Sequence, residues 1–276
     1  ALIDHPRLDF CGCSVTVPHK QHLVRFAREA IAARDDDVQW SIDPLSEICG
    51  AANTLVIDRD PGGSALRARV MNTDALAATT CLKEALGDLG GKRVTLVGAG
   101  GAARAIAVGL LSGGAEVTVL NRDRGNADRL VGELNSARKG RIDTGSLAAA
   151  DLGGLGNLGC DALVNCTPVG MSGGPDPNRS PIAVEHLGER SACAVVFDTV
   201  YNPVRTPLLE QASLAGHRTI DGVGMFVRQA AAEQREVGAV DVAPLHGGDE
   251  APVGLVAARD DEQAGGVLVE PVEDAA

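Results

Sequence analysis

Apolar and polar positions in this chain follow two periods in turn. Val94-Thr-Leu-Val97 is a short apolar, β-branched run that ends in glycine, and small helix formers follow it. The run reads as a buried strand and the alanine-rich stretch after it as a helix. Gly113-Gly114 closes that helix, and Glu116-Val-Thr-Val-Leu120 is the next strand. Nearer the start, Phe10 to Val17 predicts a short strand that stops at Pro18. Leu23, Phe26, Ala27, Ala30 and Ile31 then recur at helical spacing, which predicts a helix from Lys20 to Ala33. The acidic turn Asp35-Asp36-Asp37 breaks it. Asp43-Pro44-Leu-Ser-Glu47 combines a capping side chain, a proline at the first helical position and an early acid, so a second helix starts there and ends near Gly50. Ala51 to Asp58 reads as a strand, Asp60-Pro-Gly-Gly63 as a turn and Leu66 to Val70 as the return strand. A helix from Ala75 to about Leu86 leads into the glycine loop.

That loop carries the first chemistry. Gly98, Gly100 and Ala103 fit G-x-G-x-x-G/A, the spacing of a dinucleotide-binding turn between strand and helix. The first position permits the tight turn, the second lets backbone N–H groups approach a pyrophosphate, and the third lets the helix pack on the strand. The candidate cofactor loop is therefore Gly98, Ala99, Gly100, Gly101 and Ala102. The following strand ends in Asn121-Arg122, where an NAD enzyme ordinarily carries an acid for the ribose hydroxyls. A neutral residue followed by arginine suits a 2′-phosphate, hence NADP. Asp123 comes next and its charge opposes that phosphate, so NAD stays open. The plainer alternative is a glycine-rich turn with no ligand.

Composition narrows the class. With 276 residues, 45% of them hydrophobic, the chain has enough apolar material for one large or two ordinary domains; aromatics are only 2%, so the core is built from Val, Leu, Ile and Ala. No apolar run is long enough to span a bilayer and no signal peptide opens the chain, which points to the cytoplasm and away from membranes. Seven cysteines, without C-x-x-C pairs or metal-ligand spacing, read as free thiols in a reducing compartment, with no metal site at Cys11 and Cys13. The formal charge is −12, and no basic stripe suggests nucleic acid as a partner. Residues 241–276, with no clear period and an excess of acids, read as a disordered acidic tail. The chain starts at Ala1 with a strand almost at once, which reads as a fragment of a longer protein.

Seven segments occur in order: Ser14-Val-Thr16-Val-Pro-His-Lys20, Ala51-Ala-Asn53-Thr54, Asn72-Thr-Asp74, the glycine loop, Asn165-Cys-Thr167-Pro-Val-Gly-Met171, Phe197-Asp198-Thr-Val200-Tyr201-Asn-Pro203, and Asp221-Gly222-Val-Gly-Met225-Phe-Val-Arg-Gln229-Ala-Ala231. Together, over about residues 10 to 238, they resemble the shikimate dehydrogenase family. The resemblance implies an α/β fold: a Rossmann NADP-binding domain plus a smaller α/β substrate domain lacking its first strands, because the family's serines for the substrate carboxylate lie upstream of anything present here. The implied division is 1–76 substrate domain, 77–221 Rossmann domain, 222–240 a helix returning to the substrate domain, and 241–276 the tail. Some family members are fused behind a 3-dehydroquinate dehydratase, so an upstream fused domain is an implied partner.

The same resemblance assigns roles. Lys20 and Asp74 are the catalytic pair that handles the proton. Thr16, Asn53, Tyr201 and Gln229 bind the substrate. Thr167, Met171, Val200, Gly222 and Met225 line the nicotinamide side. The implied reaction is reversible hydride transfer between NADP and shikimate, giving 3-dehydroshikimate, with no metal. Each residue also has a plainer reading: Lys20 a solvated cation opening a helix, Asp74 a helix N-cap, Asn53 a polar residue within a buried strand, Tyr201 a packed ring before a turn proline, Gln229 a surface side chain. The chain departs from the family in Ser14 for an asparagine, Ala51 for a glycine, an insertion over Ala33 to Trp40, and Asp123 for a threonine. Two other functions fit the same motifs: a quinate/shikimate dehydrogenase that accepts NAD, and a ligand-sensing module without turnover.

Overall fold

The computed structural model describes residues 10–33, 38–60, 64–152, 159–183 and 193–237. The acidic turn 35–37 and the tail 241–276 lie outside the described residues. Two sheets organise what is described. The first takes β1 (Gly12–Ser14), β2 (Gln39–Ile42), β3 (Thr54–Arg59) and β4 (Ala65–Met71) in the order β1-β3-β4-β2. β3 is antiparallel to both neighbours, and β2 joins β4 in parallel. The second takes β5 (Arg93–Val97), β6 (Glu116–Asn121), β7 (Ser146–Asp151), β8 (Cys160–Asn165), β9 (Cys193–Asp198) and β10 (Arg218–Ile220) in the order β10-β9-β8-β5-β6-β7, all parallel. The order reverses between β5 and β8, the place where doubly wound sheets bind ligands at the carboxyl ends of their strands.

α1 (Lys20–Ala33) covers the first sheet. Val24 and Ala27 are its buried residues and meet Leu55, Ile57, Ala68 and Val70 of the sheet. Phe26, expected on the inner face, is half exposed and instead sets its ring edge-on to Trp40 at 5.3 Å. α2 (Pro44–Cys49) starts as its sequence implies: the Asp43 carboxylate accepts from Ser46 N at 2.9 Å, and Gly50 closes it in the left-handed region at φ 64°. α3 (Asp74–Leu86), α4 (Gly101–Ser112) and α5 (Arg124–Ala137) follow, then α6 (Pro207–Leu214) and α7 (Gly222–Val237). The main core runs through α3, α4, β5, β6 and the buried Phe197 of β9, and is almost wholly aliphatic. α7 comes back from the parallel sheet to pack on α3 and β3.

Two expectations change. The stretch read as an insertion ends in β2, a strand of four residues, too short for its alternation to register as a period. The helix at Asp74 is not capped by that side chain. The capping position is Thr73, and the Asn72 side chain accepts from Asp74 N at 3.0 Å and Ala75 N at 3.4 Å. Asp74 is thereby left free for another use. Among the described residues, no helix is long and apolar enough to cross a membrane, and no group of three or more His, Cys, Asp and Glu is arranged to hold a metal. No cysteine among them forms a disulfide.

Candidate functional site

The site starts from a turn and a buried carboxylate. Lys20 is the first residue of α1, and its carbonyl accepts from Ala52 N at 2.9 Å, which ties the helix start to the approach of β3. Its Nζ donates to Asp74 Oδ2 at 2.6 Å. The Lys20 side chain is 11% exposed and that of Asp74 1%. The other Asp74 oxygen accepts from Asn53 Nδ2 at 3.1 Å. Asn53, fully buried, is fixed in turn: its Oδ1 accepts from Thr73 N at 2.9 Å and from the Thr54 hydroxyl at 3.0 Å. A carboxylate with both oxygens hydrogen-bonded is held in one orientation.

Gln229 and Glu233, one turn apart on α7, complete this cluster. Glu233 Oε1 accepts from Asn53 Nδ2 at 3.1 Å, Thr54 Oγ1 at 3.2 Å, Thr73 Oγ1 at 3.4 Å and Gln229 Nε2 at 3.4 Å, and Oε2 accepts from the Ser14 hydroxyl. Burial, and after it the neighbouring Asp74, pushes the Glu233 carboxyl above its ordinary range, against the hydrogen bonds that lower it. Thr16 is exposed on the loop between β1 and α1, and Tyr201 stacks on Phe226 with centroids 4.4 Å apart.

The glycine loop meets this cluster directly. Gly98 sits at φ 112°, and a Cβ there would fall 2.9 Å from Thr167 Cγ2 and 3.2 Å from the Cys166 backbone, so the turn needs glycine. Ala103 is fully buried, as close packing of α4 requires. A Cβ on Gly100 would meet nothing within 4 Å, so its backbone opens onto free space. On Gly101 it would lie 2.9 Å from Lys20 Cβ. The N-terminal end of α4 and the start of α1 therefore touch, with Ala99 and Ala102 partly exposed beside them. Open space in front of Gly100, a helix start behind it and a left-handed turn before it fit a pyrophosphate.

Asn121 ends β6 and donates to Asp123 O at 2.9 Å. Asp123 caps α5 by accepting from Gly125 N at 2.9 Å, and Arg122 is exposed beside it. On the other side of the switch point, Asn165 ends β8 and Asp198 ends β9. Asn165 Oδ1 accepts from Thr167 N at 2.9 Å and Thr167 Oγ1 at 2.7 Å, and its Nδ2 donates to Asp198 Oδ1 at 2.9 Å. Asp198 also accepts from Val200 N at 3.0 Å and Thr206 Oγ1 at 2.6 Å. This buried network sets the paths of both loops. Gly222 then opens α7 so close to Val200 that a Cβ would lie 2.4 Å from the Val200 carbonyl oxygen. Met171 is partly exposed beside this loop, whereas Met225 is buried in the main core.

Burial pushes the Asp198 carboxyl up to about 6, over the opposing hydrogen bonds from Thr206, Val200 and Asn165. With the folded value above the unfolded one, the native state binds more protons between them. Stability should therefore fall as pH rises from about 4 to about 6, by up to ~3 kcal/mol, and level off above that. Asp198→Asn cannot titrate and should make this slope shallower, leaving only what other raised carboxyls such as Glu233 contribute. Chemical denaturation of both proteins across that window checks it; parallel pH profiles would refute the role.

Sequence reasoning placed Lys20, Asp74, Asn53 and Gln229 in the site, and the fold brings Lys20, Asp74 and Asn53 into one hydrogen-bonded chain with Gln229 linked through Glu233. It did not single out Glu233, Asn72, Asn165 or Asp198. Asn165 and Asp198 each end an apolar strand, a position that marks them. Glu233 had no such signal, because a glutamate on the last helix reads as solvated.

Comparison with known proteins matches residues 80–150 to the family model described as shikimate / quinate 5-dehydrogenase. A protein named shikimate dehydrogenase (NADP(+)) from Methanocella arvoryzae is 36% identical over 233 residues, spanning 84% of this chain and 74% of its own. A solved structure of shikimate 5-dehydrogenase from Thermus thermophilus, in complex with NADP(H) and shikimate, is 30% identical with a TM-score of 0.61, over 83% of this chain and 73% of that one. Quinate dehydrogenase from Corynebacterium glutamicum, in complex with NAD, is 28% identical with a TM-score of 0.63, over 83% and 72%.

Proposed function

The chain belongs to the shikimate dehydrogenase family, and from that premise we propose that it interconverts shikimate and 3-dehydroshikimate with NADP as cofactor. The observation that supports this most is the contact between the two halves of the site. The Lys20–Asp74 pair, at 2.6 Å, stands against the start of α4 at Gly101. A proton-handling pair therefore adjoins the loop that would hold a dinucleotide. When bound, the nicotinamide supplies and accepts the hydride. The protein's task is the ring, the water and the proton.

Gly98, Ala99, Gly100, Gly101 and Ala102 would hold the pyrophosphate, and Asn121 and Arg122 the adenosine side. Thr167, Met171, Val200, Gly222 and the helix start before Met225 would border the nicotinamide. Lys20 donates a hydrogen bond to the reacting oxygen, gives it a proton as the ketone becomes a hydroxyl, and takes one back in the reverse direction. Asp74, 2.6 Å from its Nζ, keeps Lys20 aimed. Asn53 and Gln229 orient the neighbouring hydroxyls, with Thr16 and Tyr201 closing the substrate side.

Asp123 favours a second reading, use of NAD or of quinate. Its carboxylate is exposed beside Arg122, where a 2′-phosphate would sit. Initial rates with shikimate or quinate, each with NADP⁺ or NAD⁺, test both. Turnover confined to shikimate with NADP⁺ is the expected result. Comparable rates with NAD⁺ or quinate would move the assignment to a broader dehydrogenase. Binding of shikimate without turnover in any combination would leave a sensing module.

A further inference from the structure

Glu233 has no role in the reading above, yet α7 meets the first sheet through it. Its Oε1 accepts from Asn53 Nδ2 at 3.1 Å, Thr54 Oγ1 at 3.2 Å, Thr73 Oγ1 at 3.4 Å and Gln229 Nε2 at 3.4 Å, and its Oε2 accepts from the Ser14 hydroxyl. These donors come from β1, from β3 and the residue before it, from the turn into α3, and from α7 itself. Gln229 lies one turn earlier on the same face of α7. Gly222, where α7 starts, abuts Val200 at the loop assigned to the nicotinamide. One helix therefore spans both ends of the site, and its seat decides where Gln229 stands relative to Asn53.

Two other polar attachments hold α7. Arg228 donates to the two Glu84 oxygens of α3 at 2.7 and 2.8 Å. Arg69 of β4 donates to the Glu236 carboxylate at 2.9 Å and to its backbone carbonyl at 3.0 Å. Both pairs lie at the surface, where an ion pair contributes little. Neither Glu84 nor Arg69 is a group assigned to substrate, whereas Glu233 meets two of those, Asn53 and Gln229. Reach defines its contacts more than charge does, because all five donors are neutral hydroxyls and amides. Oε1 can accept as a carboxylate oxygen or as the carbonyl of a carboxylic acid, whose proton then lies on Oε2 toward the Ser14 hydroxyl.

We propose that Glu233 is a positioning residue: with Oε1 docked on Asn53, Thr54 and Thr73, it seats α7 on the first sheet and so aims Gln229 at the substrate ring. It acts through Gln229 and not on the reacting atoms. This rests on the reading of the site as a shikimate site, and the test separates the two. Steady-state kinetics with shikimate and NADP⁺, and melting temperatures, are measured for wild type, Glu233→Leu, Glu233→Asp, Glu233→Gln, Gln229→Ala and the double variant Glu233→Leu/Gln229→Ala. Leucine keeps the bulk and removes the acceptor. Aspartate keeps the carboxyl and withdraws it by about one C–C bond, ~1.5 Å. Glutamine keeps acceptor and reach, its amide N–H turning to the Ser14 hydroxyl.

The expected result is a rise of about 10-fold in the KM for shikimate in Glu233→Leu and Glu233→Asp, the scale of losing one neutral hydrogen bond. The KM for NADP⁺ should stay where it is, and kcat should change less than the KM for shikimate. Glu233→Gln should bring the KM back near wild type, and the double variant should be no worse than Gln229→Ala, since the two side chains act as one unit. An unchanged KM in Glu233→Leu overturns the proposal, as do additive effects in the double variant. So does an aspartate variant that works where the glutamine variant fails, because charge would then carry the role. A lower melting temperature with both KM values rising together would mark a merely structural glutamate. If Glu233→Leu does not fold, aspartate against glutamine decides alone. A wild type that binds shikimate without turning it over would sink the dehydrogenase reading only; dissociation constants from calorimetry must then follow the same pattern across the variants. A wild type that does neither would end both.

Discussion

Lys20→Met is expected to lower kcat by about 10²- to 10⁴-fold, the range that a positioned acid or base contributes. The side chain keeps its length and apolar stem, so packing at the start of α1 and the contact with Gly101 survive. What is lost is the ammonium 2.6 Å from Asp74. The same change carries a structural penalty that could imitate a catalytic one. Asp74 is almost fully buried, and without Lys20 its only remaining side-chain donor in this cluster is Asn53. Breaking a buried pair from one side commonly costs ~3–5 kcal/mol; the partial exposure of the Lys20 side chain places this one toward the lower figure. The double variant Lys20→Met/Asp74→Asn separates the two effects. Removing the stranded charge should restore most of the melting temperature and none of the turnover. Recovery of kcat together with stability would show that Lys20 only props up the fold. Retained NADP binding in both variants would place the defect in chemistry, not in the cofactor loop.

The parts of the fold that could be read from sequence are those where one local rule had a single solution. Asp43-Pro44 and Gly50 bracket α2 because a cap, a fixed φ and a left-handed residue each occur where the helix needs them. The strand into Gly98 was equally plain, since an apolar β-branched run meets a turn that no side chain fits. Lys20 and Asp74 could be paired only through the family resemblance. They are 54 residues apart and meet through tertiary packing. Asp74 in particular offered a wrong local solution, because an acid before Ala-Leu-Ala reads as a cap. The structure gives the capping to Asn72, two residues earlier, and this releases the carboxylate for Lys20 and Asn53. Glu233 and Asp198 were hidden for a related reason. Their significance lies in partners on other elements, such as Asn53 before β3 or Thr206 before α6, which no periodicity reports. β2 was lost to its length, with only Trp40 and Ile42 marking one face.

Gly100→Asp should abolish measurable use of the cofactor while leaving the fold intact, and the geometry of the loop is what makes the two separable. Gly100 has φ −85° and ψ −169°, an extended conformation open to any residue, and nothing lies within 4 Å of an added Cβ. The substitution therefore meets no clash, and an acid at the capping position of α4 is a favourable helix start. It also puts a carboxylate into the open space proposed for the pyrophosphate. Two like charges at about 4 Å repel by roughly 4 kcal/mol at an effective dielectric near 20, or about 10³-fold in affinity. Melting temperature at or above that of wild type, with NADP binding weakened at least ~100-fold and shikimate binding retained, is the expected pattern. Gly98→Ala supplies the contrast. There the backbone is left-handed and the Cβ would meet Thr167 and the Cys166 backbone, so stability should fall first and cofactor binding only as a consequence. If Gly100→Asp instead binds NADP like wild type, the open space before α4 is not the phosphate site and the loop's spacing is a packing device. If it unfolds, the space is not open. Only a folded protein blind to the dinucleotide is consistent with the proposed phosphate site at the start of α4.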